Sequence, residues 1–196
     1  HNCLVGSEMC IRDSTRGGKP INSCPHIWES VKHIIEANPN IVLDGELYNH
    51  ELKADFQKIV SLVRKVKCRP EEIKESSEKV EYHVYDMFDK NNPEMRFMER
   101  YMWLQDNVSG NMIVLVDTQI CDTTKAIDKM YGEYTEAGYE GQMIRQDTPY
   151  ECKRSKALLK RKEFITEEYD VVRVEEGNGN WTGYAKRFIL ALPNGT

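Results

Sequence analysis

Four side chains offer the clearest chemistry in this sequence: Glu46, Glu140, Lys160 and Lys162. Glu46 lies in Leu43-Asp-Gly-Glu-Leu-Tyr48, and Glu140 opens Glu140-Gly-Gln-Met-Ile-Arg145. Each acid sits beside a glycine, which lets a backbone or ligand approach closely. Taken singly, either carboxylate could take a ribose hydroxyl or a metal, and Glu46 could equally mark an Asp-Gly turn at a strand end. Taken together, two such acids suit a nucleotide carrying Mg2+, a hard cation that prefers oxygen ligands. Lys160 and Lys162 are two apart on a predicted strand and therefore share a face. Two ammonium groups on one face repel unless an anion lies between them; the alternative is a solvated edge strand guarded by lysines. Lysine is a compact charge suited to a phosphoryl group. Lys153 to Lys162 holds six basic residues and no acid, a local stripe that bears on a phosphate backbone more than the net charge does. Arg16-Gly17-Gly18-Lys19 is a glycine loop between cations whose amides could cradle a phosphate. Tyr85, in Tyr82-His-Val-Tyr-Asp-Met-Phe88, is a strand aromatic that packs in a core or stacks on a base. His26, His33, His50 and His83 have no metal-binding spacing.

The elements that must hold these groups follow from periodicity. Helices are predicted over residues 25–37, with Ile27, Val31, Ile34 and Ile35 on one side, over 56–66, from Pro93 to about Gln105, and over 123–137, the last ended by Gly138. Strands are predicted over 41–48, 80–88, 111–116, 139–145 and 157–164, and residues 68–79 read as a charged connection. From Tyr169 the pattern becomes a hairpin, 169–175 and 184–192 around a Gly-Asn-Gly-Asn turn at 177–180. Strands and helices mix without strict alternation, which predicts an α+β fold with largely antiparallel sheets and flanking helices.

Composition sets outer bounds. A chain of 196 residues with 40% hydrophobic and 30% charged content is an ordinary globular composition. No apolar run approaches the roughly 18 residues of a membrane span. The six cysteines are scattered, with no C-x-x-C pair, so neither zinc nor a disulfide framework is indicated and reduced thiols in a cytoplasm are expected. The net charge of −5 argues weakly against nucleic acid, yet the charges are segregated, with acids concentrated in residues 71–81. Residues 3–14, CLVGSEMCIRDS, look unlike the rest and fit neither a helix nor a strand. They resemble the translation of a transposase mosaic-end adapter, so residues 1–14 are expected to be an artefact and are set aside.

In this order the segments resemble the ATP-dependent DNA ligases of the covalent nucleotidyltransferase superfamily, in a compact viral or phage-like form. Thr15-Arg-Gly-Gly-Lys-Pro-Ile21 is similar to the segment after the family's nucleophile, and Leu43–Tyr48 to its third motif. Tyr82–Phe88 is similar to its aromatic strand, Glu140–Arg145 to its fourth motif, and Leu158-Leu-Lys-Arg-Lys-Glu-Phe164 to its fifth. The resemblance implies a nucleotidyltransferase (adenylation) domain over residues 15–165 and the first strands of an OB-fold domain over 166–196. It implies ATP and Mg2+ as cofactors and nicked duplex DNA as partner, with a monomer and no membrane. Glu46 would contact the ribose or a metal, and Tyr85 would stack on adenine where the family more often has Phe. Glu140 would serve the metal, and Lys160 and Lys162 the α-phosphate, while Arg16 and Arg154 would engage the 5′-phosphate side of a nick. The reaction implied runs through a lysyl-AMP, a DNA-adenylate and a sealed strand.

One departure is severe. The family's nucleophile is the lysine of a K-x-D-G motif, no K-x-D-G occurs here, and the first lysine is Lys19. The missing motif belongs where the adapter-like segment lies. An OB barrel needs five strands and residues 166–196 supply about two. The expectation is a fragment cut at both ends and inactive as it stands. RNA ligases and capping guanylyltransferases share the pocket logic and remain alternatives, as does a non-catalytic nucleic-acid-binding module.

Overall fold

The computed structural model describes residues 2–5, 12–15, 21–53, 55–153, 155–163 and 166–191, with the backbone alone at 2–5, 12–15 and Phe56. The elements in chain order are β1 (Asn2–Val5), β2 (Arg12–Thr15), α1 (Pro25–Ala37), β3 (Ile41–Tyr48), α2 (Phe56–Val63), α3 (Pro70–Lys79), β4 (Glu81–Asp89), α4 (Phe97–Asn107), β5 (Ile113–Leu115), α5 (Thr124–Glu136), β6 (Gly141–Arg145), β7 (Leu158–Lys162), β8 (Val171–Glu176) and β9 (Ala185–Leu190). A five-stranded sheet has the order β2-β1-β3-β4-β5, and β6-β7 and β8-β9 form two-stranded sheets. The α+β class and the mainly antiparallel pairing are as predicted; the exception is β4-β5, which is parallel. Among the described residues no helix is long and apolar enough to cross a membrane.

Each element has a local cause. Helix α1 starts on Pro25, whose missing N–H costs nothing in a first turn, and buries Ile27, Val31, Ile34 and Ile35 as their spacing requires. Strand β3 alternates, with Ile41, Leu43, Gly45 and Leu47 buried while Glu46 is exposed on the other face. Gly45 is fixed by close approach: a Cβ there would lie 2.5 Å from the His83 carbonyl oxygen and 2.7 Å from the Tyr82 ring. Gly45 thus permits the close backbone approach expected beside Glu46, and the approaching backbone is that of β4. Gly138 has φ +87° and ends α5 as predicted, its N–H reaching the Thr135 carbonyl at 2.9 Å.

The sequence reading needs correction in several places. Residues 68–79 hold α3, whose apolar signal is sparse because it carries charge on most of its surface. It begins on Pro70, Glu72 accepts from the Arg69 N–H at 3.0 Å, and Lys65–Glu72 and Lys58–Glu75 pairs at 2.7 and 2.6 Å tie it to the α2 side. Helix α2 stops at Val63 rather than Val66, because Lys65 turns toward Glu72 and Val66 is left exposed. Pro93 opens a turn, and α4 begins four residues later, where Glu99 reaches back to the Arg96 N–H at 2.9 Å. Residues 2–5 run as a strand beside β3, Asn2 opposite Gly45 and Val5 opposite Val42, and residues 12–15 pair with 2–5 on its other side, although the pattern there suggested no strand. The 157–164 strand is Leu158–Lys162, and Phe164 and Leu192 lie outside the described residues.

One cluster of buried residues joins α1, β3, α2, β4 and α4, with Ile27, Leu43, Tyr82, Val84, Met87 and Leu104 essentially inaccessible. Strand β4 carries one extra residue. Gly45 pairs with Val84 and Asp44 with Asp86, so Tyr85 forms a bulge between them. Past the bulge the alternation is reset: Met87 faces Leu43 in the core and Asp86 lies opposite Asp44.

Asp86 is completely buried and ties the five-stranded sheet to the β6-β7 hairpin. Its Oδ1 accepts from Arg100 Nε at 2.7 Å and from the Met87 N–H at 2.8 Å, and its Oδ2 accepts from Arg100 Nη2 at 3.1 Å. Oδ2 also pairs with Arg145 Nη1 of β6. Arg100 is itself 3% exposed and donates to the Met95 and Thr148 carbonyls at 2.6 and 3.0 Å. A buried carboxylate is tolerable only when it is paired and hydrogen-bonded. Asp86→Ala leaves two guanidinium groups facing nothing and is expected to cost about 3–5 kcal/mol, measured as a lower denaturant midpoint; an unchanged midpoint would contradict the network's role. The α3 ion pairs set an acid limb. Hydrogen bonds from Lys58 and Lys79 hold the Glu75 carboxyl down at about 2, and bonds from Lys65 and Arg69 hold Glu72 there too. Both contributions are present above the ordinary carboxylate range and are lost as pH falls from about 4.5 through 2. Glu75→Gln should flatten the fall in thermal midpoint over that window, and an unchanged slope would assign the limb elsewhere.

Candidate nucleotide-binding site

Strands β6 and β7 place the basic pair. Their register sets Gly141 opposite Lys162, Met143 opposite Lys160 and Arg145 opposite Leu158, so Lys160, Lys162 and Arg145 lie on one face. The opposite face docks on α5, where Arg161 pairs with Asp128 at 2.6 Å and its guanidinium lies 4.3 Å from the Tyr131 ring centroid. That anchoring fixes the outward direction of both lysines. At position 141 a Cβ would meet the Arg161 backbone, so this glycine also serves strand packing rather than ligand approach.

An anion does lie between the two ammonium groups, and it belongs to the protein. Lys160 Nζ donates to Glu140 Oε2 at 2.8 Å and Lys162 Nζ to Glu140 Oε1 at 2.7 Å. These two bonds, Lys160 first, hold the Glu140 carboxyl down at about 2. The triad is open to solvent, with side-chain exposures of 62% for Glu140, 53% for Lys160 and 34% for Lys162. The basic stripe is thus partly compensated by acids from elsewhere in the fold: three carboxylates meet four of its six cations. Beyond Glu140 these are Asp128 for Arg161 and, at 3.9 Å, Glu151 for Lys153.

Tyr85 and Glu46 come from the facing sheet. The bulge turns Tyr85 toward Asp44, whose Oδ1 accepts from its hydroxyl at 3.3 Å, while Asp44 Oδ2 accepts from Tyr150 at 2.7 Å. Burial, then the negative charges of Asp44 and Glu46, push the Tyr85 phenol well above its ordinary value and keep it neutral. Glu46 lies two residues beyond Asp44 on β3, opposite His83 of β4, and is exposed. Arg145 joins this group to the basic face: its guanidinium lies 5.9 Å from the Tyr85 ring centroid and 4.6 Å from that of Phe97.

A second bridge ties the start of β6 to the end of β3. His50, in the single 3-10 turn His50–Leu52 after β3, stacks on Tyr139 at 4.4 Å between centroids and accepts or donates to Tyr48 Oη at 3.1 Å. His50 Nε2 and Lys53 Nζ both reach the Ala137 carbonyl at the end of α5, at 3.1 and 3.2 Å. The Tyr48 phenol is raised by burial and by the charges of Tyr139 and Glu46. Glu140, Lys160 and Lys162 are thus brought together on the β6-β7 hairpin, while Glu46 and Tyr85 belong to the five-stranded sheet, which Arg145 and His50 link to that hairpin and its approach. Arg16 and Arg154, with the Arg16-Gly17-Gly18-Lys19 loop, lie outside the described residues. Asp86, Arg100, Arg145, His50 and Tyr150 were not singled out from sequence. Their signal is a position in three dimensions, and an isolated Arg or His in a strand or turn carries no spacing rule.

Among the described residues no group of three or more His, Cys, Asp or Glu side chains could hold a metal ion. Mg2+ commonly binds through one or two carboxylates plus water and substrate phosphate. Glu46 and Glu140 are oxygen donors of that type, and Glu140 is engaged by both lysines.

Residues 6–162 match the family model described as ATP dependent DNA ligase domain. A DNA ligase of Archaeoglobus fulgidus is 31% identical over 197 residues, covering 95% of this chain and 34% of that protein. The chain thus spans about a third of the length of that relative. Among solved structures, a Lig E DNA ligase superposes with TM-score 0.76 at 21% identity, covering the whole of this chain and 70% of the other. Chlorella virus DNA ligase-adenylate gives TM-score 0.60 at 18% identity, covering 97% and 67%. The ATP-dependent DNA ligase of bacteriophage T7, solved in complex with ATP, gives 0.57 at 14%, covering 100% and 68%. At these identities the structures speak for the fold, while the family model covers most of the sequence: the chain belongs to the ATP-dependent DNA ligase domain family.

Proposed function

We propose that this protein binds ATP between β4 and the β6-β7 hairpin and belongs to an enzyme that seals nicks in duplex DNA through lysyl-AMP and DNA-adenylate intermediates. The observation that carries this reading is the facing arrangement of Tyr85 on the β4 bulge and the Lys160–Lys162 face, held by Arg145. Tyr85 offers an aromatic surface to adenine, with its hydroxyl tethered to Asp44. Glu46 takes the ribose or shares a metal with Glu140. Lys160 and Lys162 hold the α-phosphate oxygens, whose charge grows as the leaving group departs, so fixed cations there lower the barrier. The same cations depress the pKa of a nearby amine and so favour the free base of a nucleophilic lysine. Mg2+ supplies charge neutralisation at the phosphates when bound through the carboxylates of Glu46 and Glu140. Arg16 and Arg154 meet the 5′-phosphate side of the nick.

Residues 15–165 are read as the adenylation domain and 166–196 as the start of an OB-fold domain, of which β8 and β9 are the described strands. Exposed Val172, Val174 and Phe188 on that hairpin suit a sheet meant to pack against more structure. A monomer acting in the cytoplasm, in replication, repair or recombination, completes the reading. A second reading has one observation in its favour: with no K-x-D-G in the sequence, the chain could bind nucleotide and DNA without catalysis. The family-model match over residues 6–162 supports the first.

Two outcomes test this. The protein should bind ATP with Mg2+ reversibly, with no label from α-32P-ATP retained on the denatured protein in gel electrophoresis, and Lys160→Ala should weaken binding by about tenfold, the loss of one charge-assisted bond. Covalent labelling would place a nucleophile in this chain, and unchanged binding by the variant would remove Lys160 from the site. Genomic DNA upstream of codon 15 should encode K-x-D-G, and a protein carrying it should seal a nicked duplex with ATP. A different genuine upstream sequence would favour the non-catalytic module.

A further inference from the structure

We infer that Glu140 is an exchangeable counter-anion: its carboxylate occupies the place between Lys160 and Lys162 that phosphoryl oxygens take, and nucleotide enters by displacing it. The inference rests on the nucleotide-binding reading above and concerns how the same site is filled.

The geometry carries it. Both Glu140 oxygens are engaged, one by each lysine, at 2.8 and 2.7 Å. This bidentate bridge has the spacing that two oxygens of one phosphoryl group would need. The lysines leave the strand on one face, because they alternate with Arg161, which is anchored on Asp128 and Tyr131. Glu140, by contrast, precedes β6 and follows the Gly138 turn, and it is the most exposed of the three. The carboxylate is therefore the member free to move. An exposed ion pair also contributes little and breaks easily, so the exchange needs no large rearrangement. Two ammonium groups and one carboxylate leave the triad at +1; a nucleotide phosphate satisfies the lysines better than a single carboxylate does. Once displaced, Glu140 is an oxygen donor within a step of the same phosphate, which is where a bound Mg2+ draws its protein ligands. Lysines passing from carboxylate to phosphate and carboxylate passing from lysines to metal are two halves of one exchange. Nucleotide and metal binding should then be coupled through Glu140.

The test is ATP binding measured by titration calorimetry on the full chain, with EDTA and with Mg2+. In EDTA, Glu140→Gln should bind ATP about fivefold or more tightly than the unaltered protein, because the internal competitor is gone. Mg2+ should improve binding by the unaltered protein by a larger factor than by the variant. A double-mutant cycle separates exchange from long-range charge: with Lys160 and Lys162 both changed to Met, Glu140→Gln should no longer alter metal-free affinity. An equal gain in that background would overturn the exchange and leave only general electrostatics. Equal or weaker metal-free binding by Glu140→Gln, with ATP still bound, would also overturn it while leaving the nucleotide site intact. No ATP binding by any form under either condition would overturn both.

Discussion

A single buried carboxylate governs how the two halves of the site meet. Asp86 has no exposed surface and answers to guanidinium groups from two different elements, α4 and β6. In a low-dielectric interior a charge of this kind fixes position more than it adds stability, since its desolvation cost consumes most of the Coulombic gain. Arg100 draws α4 against β4, and Arg145 draws the β6-β7 hairpin toward the Tyr85 bulge. Because Arg145 shares its strand face with the lysines, one contact orients the whole basic face. The Phe97 ring beneath Arg145 makes this contact stiff, as it presents a flat surface to the guanidinium.

Electrostatic compensation is the second theme. Read along the chain, Lys153 to Lys162 is a run of like charge with no acid. Read in space, four of its six cations are matched by carboxylates brought from α5, from the loop after β6 and from Glu140 itself. The acid-rich α3 is matched in the same way by Lys58, Lys65 and Lys79. Segregation in sequence therefore overstated segregation on the surface. A solvated pair such as Glu140–Lys160 contributes little to stability, and its interest lies in being exchangeable.

Much of the fold was legible because it rests on local rules. The Ile27, Val31, Ile34, Ile35 stripe, the alternation of β3 and the αL glycine at 138 each follow from backbone geometry and burial. Helix α3 was not legible, because its inward face is short and includes Ser76, so a periodicity of apolar residues has little to detect. The start of α4 was misplaced because Pro93 suits a turn as well as a first helical position. Of the site, Glu140, Lys160 and Lys162 were legible as types and spacing, and their gathering at one point is an outcome of the β6-β7 register. What the sequence could not convey was the identity of the anion between the lysines, since twenty residues separate Glu140 from Lys160. The Asp86 network escaped for the same reason.

The extra residue in β4 has a consequence for how this segment can vary. Losing the one codon between Val84 and Asp86 would restore simple alternation and leave Asp86 opposite Asp44 and Met87 opposite Leu43. The carboxylate would stay on the side of both arginines, and the ring of Tyr85 with its bond to Asp44 would be what is lost. The extra residue is thus an addition to the strand rather than part of its frame: it can be removed without unseating the anchor.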